Sequence, residues 1–131
     1  MRRIILIISL LLCVTGCQSQ QSIGEIDVMN SHNLTSSNHF DQHLSISLNG
    51  NDFDNLESCA TTIIEHCIKN DFQSVKFSYD LQGYPNRISA TVYRTEEDFK
   101  NCNEYFSFTY SADAPRTIKD TDSCTMNIIA N

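Results

Sequence analysis

The sequence contains no tryptophan and only four glycines among its 131 residues. Without tryptophan, the chain lacks one of the side chains that most often anchor protein interfaces. It has no Gly-rich loop that would hold a phosphate, no Gly-x-Ser-x-Gly motif and no Cys-x-x-Cys motif. We therefore predict a protein that is not an enzyme and that has no catalytic residue, no cofactor and no metal site.

Basic residues are also scarce. The chain has 9 Lys and Arg against 16 Asp and Glu, a formal net charge of -7, and loss of Arg2 and Arg3 with a leader peptide would change this to -9. An acidic domain is repelled by nucleic acid and by anionic lipid headgroups. The charge excludes nucleic acid as a partner and favours a cationic partner. A requirement for solubility alone would also explain the negative charge.

No apolar run is long enough for a comfortable membrane span. The longest run, Ile4 to Val14, is shorter than the roughly 20 residues that a spanning helix needs. Arg2 and Arg3 precede it and small residues follow, which is the order of a secretory signal peptide with a cleavage site. The segment Val14-Thr15-Gly16-Cys17 then resembles the lipobox of bacterial lipoproteins.

This resemblance covers the leader alone. It implies that residues 1–16 are removed as a signal peptide and that Cys17 carries acyl chains such as palmitate, which anchor the protein in a membrane. In lipoproteins of enteric-type bacteria an Asp after the cysteine favours retention in the inner membrane. Gln18 therefore implies the outer membrane, facing the periplasm. The alternatives are an ordinary secreted protein cleaved nearby and an uncleaved anchor helix.

Residues 17–42 are rich in Ser, Asn, Gln and His and show no lasting periodicity, so we predict a flexible tether that follows the lipidated Cys17. His39 and His43 would share one face of a helix and bind a metal ion there. In a strand, however, the same spacing separates them by about 13 Å. We expect surface histidines.

A long amphipathic helix is predicted for residues 51–70, because apolar residues recur there at steps of three and four. Alternating patterns predict strands at residues 43–48, 74–81, 87–93 and 104–110, with a last strand near residue 126. The predicted strands at residues 74–81 and 87–93 are expected to form a hairpin around Gly83-Tyr84-Pro85-Asn86. A short helix is expected at residues 95–100.

This order of elements predicts an α+β domain over residues 43–131. Its mostly antiparallel sheet of about five strands would be covered on one face by a single main helix.

Four of the six cysteines remain after the leader is removed and Cys17 is lipidated. These are Cys59, Cys67, Cys102 and Cys124. An even number in an exported domain predicts two disulfides. Cys59 and Cys67 are about 12 Å apart along a helix, too far to pair with each other. Two connectivities remain. Cys59 pairs with Cys102 and Cys67 with Cys124, or Cys59 pairs with Cys124 and Cys67 with Cys102. A reactive site at Glu65-His66-Cys67 is not expected, because neighbouring helical side chains point about 100° apart.

We predict that the domain is a binding module for a protein partner in the envelope. Its binding surface would be the exposed face of the sheet or the loops at residues 82–87 and 111–123, with Tyr84, Tyr93 and Tyr105 as candidate contact residues. An inhibitor or immunity-type protein directed against a basic envelope enzyme is one alternative. A small ligand carrier, or an enzyme without a recognisable motif, is another.

Overall fold

A five-stranded mixed sheet forms the centre of the computed structural model, which describes residues 24–131. The strands lie in the sheet in the order in which they follow in the chain. They are β1 Asp27–Ser36, β2 His39–Ser47, β3 Arg87–Tyr93, β4 Phe106–Ser111 and β5 Thr125–Ala130. The helices are α1 Leu56–Lys69, α2 Tyr79–Gln82 and α3 Glu96–Lys100, and residues Thr121–Ser123 form a turn of 3-10 helix. The protein is therefore of the α+β class, as predicted.

The sheet is mostly antiparallel, as predicted, but one of its four strand pairings is parallel. β2 and β3 are parallel, whereas the other three neighbouring pairs are antiparallel. Parallel neighbours need a crossover connection, and α1 lies within the connection from β2 to β3.

Helix α1 begins five residues later than the predicted start at residue 51. Asn55 is its N-cap, and the Asn55 side chain accepts a hydrogen bond from the backbone N–H of Ser58 at 2.8 Å. Asn70 ends the helix in the left-handed conformation, with φ at 54°. The predicted first residue of the helix was wrong because the side chains of Asn51 and Asn55 both suit the N-cap position.

The core lies between α1 and one face of the sheet. The helix contributes a stripe of buried residues, which are Cys59, Ala60, Ile63, Ile64 and Cys67. The strands contribute alternate residues to the same cluster, including Leu44, Ile46, Ile88, Val92, Phe106 and Phe108. Burial of these apolar side chains is the main source of stability for the fold.

The predicted strand at residues 74–81 and its hairpin with β3 are wrong. This segment is a loop followed by α2, and β2 lies beside β3 instead. The side chain of Asn70 accepts a hydrogen bond from the Phe77 backbone N–H and donates one to the Phe77 carbonyl, both at 2.8 Å. Because both backbone groups of Phe77 are satisfied by a side chain, this residue does not need a neighbouring strand.

The predicted tether at residues 17–42 is corrected where the structure describes it. Residues 27–36 form β1, which pairs antiparallel with β2 around a turn at residues 37 and 38. Ile26 and Val28 are buried, so the domain begins well before residue 43. The polar composition concealed this strand because most of β1 lies at an exposed edge, where polar side chains remain in water. The signal peptide and Cys17 lie outside the described residues.

The predicted disulfides are absent as well: Cys59, Cys67, Cys102 and Cys124, the cysteines of residues 24–131, are all free thiols. Cys59 and Cys67 lie on the buried side of α1, whereas Cys102 is exposed after α3 and Cys124 precedes β5. Neither connectivity is present because the helix directs its cysteines into the core, away from the exposed turn of Cys102.

None of the helices within residues 24–131 has the length and apolar character needed to cross a membrane.

Candidate functional site

The face of the sheet opposite α1 carries three rows of side chains that run across all five strands. We call these fifteen residues the open face. The first row is Asn30, Ser45, Thr91, Ser107 and Ile129; the second is His32, His43, Ser89, Thr109 and Asn127; and the third is Leu34, Asp41, Arg87, Ser111 and Thr125. The rows follow from the strand register, since alternate residues of each strand point to the same side.

The open face is polar and accessible. Seven of its residues carry a hydroxyl group, only Leu34 and Ile129 are apolar, and none of the fifteen is buried. A depression of about 300 Å³ lies over the first two rows. The short Ser and Thr side chains at the centre, flanked by longer residues on the edge strands, produce this shape.

His32 and His43 lie opposite each other at the β1 side of the depression. Their ring centroids are 4.8 Å apart and their planes differ by only 5°, so the two imidazoles are stacked. His39 lies on the same side of the hairpin, where its Nε2 is 2.7 Å from a carboxylate oxygen of Asp41. His39 and His43 both belong to β2, so they do not share the face of a helix. The pairing of His43 with His32 was not foreseen.

Helix α3 limits the open face at one end. Ser47 and Tyr93 occupy the next cross-strand position along β2 and β3, and both are buried. Phe99 of α3 packs edge to face on the Tyr93 ring, with 5.3 Å between centroids. The accessible surface therefore ends where α3 begins.

Tyr93 and Tyr105, two of the predicted contact residues, are largely engaged within the domain. Tyr93 is only 8% exposed, so its predicted exposure is wrong. Tyr105 is half-buried, and the guanidinium carbon of Arg94 lies 3.8 Å from its ring centroid. Burial, with the nearby charge of Glu104, also raises the pKa of Tyr93. Tyr93 is consequently a packing residue.

Tyr84 lies near the opposite end of β3, where the two predicted recognition loops meet. It is half-buried, its hydroxyl donates to the Ile68 carbonyl at 3.2 Å, and Lys119 lies over its ring. The buried side chain of Asn86 joins the loops by donating to the Arg116 carbonyl at 2.6 Å and accepting from the Phe40 N–H at 2.8 Å. The structure thus brings the two loops together but separates Tyr84 from Tyr93 and Tyr105.

The thiols of α1 are unsuited to nucleophilic chemistry. Burial raises the pKa of Cys59 to about 12. The pKa of Cys67 is also raised, by burial and by the negative charge of Asp71. A nucleophilic cysteine needs the opposite shift, because the thiolate is the reactive form. The His66 ring hydrogen-bonds the Asp71 carboxylate at 2.7 Å.

Comparison with known proteins identifies the leader. Residues 1–18 match the family model described as the prokaryotic membrane lipoprotein lipid attachment site. The chain carries a bacterial lipoprotein signal. This lipoprotein signal includes Cys17, the residue expected to carry the acyl chains, and makes the protein a lipid-anchored protein of the cell envelope. No curated protein and no solved structure matches the chain.

Proposed function

We propose that this lipoprotein is held in the outer membrane, faces the periplasm, and binds a protein partner through the open face of its sheet. In this proposal the domain acts by binding and not by catalysis. The supporting observation is the open face itself: fifteen accessible, mostly hydrogen-bonding side chains on a sheet whose opposite face is covered by α1.

The chemistry of the open face specifies the kind of contact. Hydroxyl and amide side chains both donate and accept hydrogen bonds. A partner that covers them must replace their bonds to water, since each buried group left unsatisfied costs about 1–3 kcal/mol. The partner must therefore present polar groups to the centre of the face. Leu34 and Ile129 are 56% and 60% exposed on the two edge strands, where they offer apolar contacts at the rim.

Charge favours this proposal over an inhibitor of a basic enzyme. The open face carries one acid, Asp41, and one base, Arg87, which are cross-strand neighbours. The negative charge of the protein is concentrated elsewhere, for example in the first turn of α3. An inhibitor that complements a basic enzyme would use such acidic surface. The open face is better suited to a partner that is close to neutral.

The short connection to the lipid restricts where the partner lies. Nine residues lie between Cys17 and Asp27, the first residue of β1, so the two are at most about 35 Å apart when this segment is fully extended. The domain consequently stays close to the membrane, and its partner must be another envelope component at a similar height.

Site-specific photo-crosslinking in intact cells tests this proposal. A photoreactive amino acid is placed at Thr91 or Thr109 in the centre of the open face, and at the exposed Glu65 of α1 as the matched control. We expect one discrete adduct from Thr91 and Thr109 and none from Glu65. Thr91→Lys and Thr109→Lys should abolish this adduct when the photoreactive group is placed at Ser89. Equal adducts from all positions, or none from the open face, would refute the proposal.

A further inference from the structure

His32 and His43 form a cross-strand pair with two ring systems at contact distance. They are direct partners in the antiparallel register of β1 and β2, and their stacked rings are 4.8 Å apart between centroids. Cβ atoms of such partners lie about 4.5–5.5 Å apart, so the two rings share one small volume above the sheet. The pairing of β1 with β2 therefore places the two histidines next to each other before any ligand binds.

We propose that His32 and His43 together bind a divalent transition metal ion, with Zn²⁺ as the reference ion. Neutral imidazole is a favourable ligand for Zn²⁺, Cu²⁺ and Ni²⁺. Zinc–nitrogen bonds are about 2.0–2.1 Å long, which places two nitrogens on one tetrahedral ion roughly 3.3 Å apart. In this proposal the rings rotate about their side-chain bonds, and the short spacing of cross-strand partners allows one nitrogen of each ring to reach the same ion.

The surroundings of the pair allow an ion to enter. His32 is exposed and His43 is half-buried, and both line the depression of the open face. Hydroxyl and amide groups of Ser45 and Asn30, the next cross-strand pair, lie beside them. An ion bound here would remain in contact with water.

The protein supplies only part of the coordination shell. Within residues 24–131, no group of three His, Cys, Asp or Glu side chains is placed to hold a metal ion. Asp41, two residues before His43, already accepts a hydrogen bond from His39 when His39 is protonated at Nε2. The remaining positions on the ion are therefore taken by water, and binding rests on the two imidazoles.

Calorimetric titration of the full mature protein in detergent micelles with Zn²⁺ tests the site. The exposed Cys102 and half-buried Cys124 are first alkylated, because free thiols compete for zinc. We expect saturable binding of one ion per chain, and an affinity reduced by about tenfold or more in both His32→Ala and His43→Ala. Cu²⁺ provides a second readout, because its paramagnetic resonance spectrum shows hyperfine splitting from bound imidazole nitrogens.

Two matched controls use the other histidines of the domain. His39→Ala removes a histidine from the same side of the hairpin, and His66→Ala removes one from α1. Both should leave zinc affinity unchanged. The proposal is overturned if wild-type protein shows no saturable binding, or if the His32→Ala/His43→Ala double variant binds as tightly as the wild type. Circular dichroism verifies that the variants are folded. The outcome is independent of the crosslinking result, because the ion needs no protein partner.

Discussion

The phenol of Tyr79 donates a hydrogen bond to Oε1 of Gln42 inside the core, and this bond joins α2 to strand β2. The two residues are 7% and 1% exposed, so neither has ready access to water as a substitute partner. The bond explains how a glutamine is tolerated on the covered face of the sheet among apolar neighbours.

Replacement of Gln42 by leucine should therefore destabilise the domain, although it adds an apolar side chain to the core. The variant leaves the buried hydroxyl of Tyr79 without its acceptor, which should cost about 1–3 kcal/mol of unfolding free energy. Urea denaturation measures this loss. Gln82→Leu, at an exposed position of α2, is the matched control and should change stability little.

A double-mutant cycle separates the hydrogen bond from packing. Gln42→Leu combined with Tyr79→Phe removes both partners, so the double variant should lose less stability than the sum of the single variants. Strictly additive losses would show that the bond does not contribute.

Stability should fall between about pH 10 and pH 12, partly because of Tyr110. Burial, followed by a hydrogen bond with Cys124, raises the pKa of Tyr110 to about 12. A tyrosine of the unfolded chain has a pKa of about 10. Above pH 10 the unfolded chain releases this proton while the folded protein retains it. The unfolded state then binds fewer protons, and the unfolding free energy decreases as the pH rises.

Urea midpoints at several pH values in this window measure the effect. Tyr110→Phe removes the ionisable hydroxyl, so its midpoint should decline less steeply than that of the wild type over the same range. The raised pKa of Tyr79, which burial also causes, leaves a residual decline in this variant. Parallel declines in the two proteins would contradict the assignment to Tyr110.

The four free thiols within residues 24–131 should differ in their reaction with iodoacetamide. Cys102 is exposed and should be alkylated rapidly, Cys124 is half-buried and should react more slowly, and Cys59 and Cys67 should be protected in the native protein. The raised pKa values of the two buried thiols reinforce this protection, because the thiolate is the reactive form.

Peptide mass spectrometry of samples labelled with and without urea, in the absence of a reductant, measures this order. All four thiols should be labelled in urea. A cysteine that stays unlabelled in urea would show that its sulfur is held in a disulfide.

The main helix was predictable from the sequence because its signal is local. Ala60, Ile63 and Cys67 have helical spacing, and Asn70 supplies a suitable end. The start of the helix was less certain because Asn51 and Asn55 are chemically equivalent caps, and the choice between them depends on tertiary contacts. Asn51 instead donates to the carbonyls of Gly24 and Leu48.

The sheet order was not predictable because it depends on a competition between distant segments. Val75 and Phe77 alternate with polar residues as a strand does, yet Asn70 satisfies the backbone of Phe77 and leaves the position beside β3 to β2. Alternation predicts that a segment is suited to a sheet, but it does not specify the neighbouring strand.

The same limitation concealed the histidine pair. Each alternating segment has polar residues at every second position, such as Ser89 and Thr109. These residues predicted that one face of the sheet is exposed. The partner of His43 required the register of β1, which was interpreted as tether because its exposed edge residues are polar. A single sequence does not distinguish such an edge strand from a linker by composition.

Membrane attachment should depend entirely on Cys17. Each buried acyl methylene contributes about 0.8 kcal/mol, so two or more chains hold the protein on a bilayer effectively permanently. Cys17→Ser should therefore move the protein from the membrane pellet to the soluble envelope fraction, as measured by fractionation and immunoblotting. Cys102→Ser is the matched control, because it also removes a thiol but should leave the protein in the membrane.

Gln18→Asp tests the proposed destination: the lipidated protein should shift from outer-membrane to inner-membrane fractions on a density gradient. Identical distributions of Gln18→Asp and the wild type would refute the proposed role of residue 18.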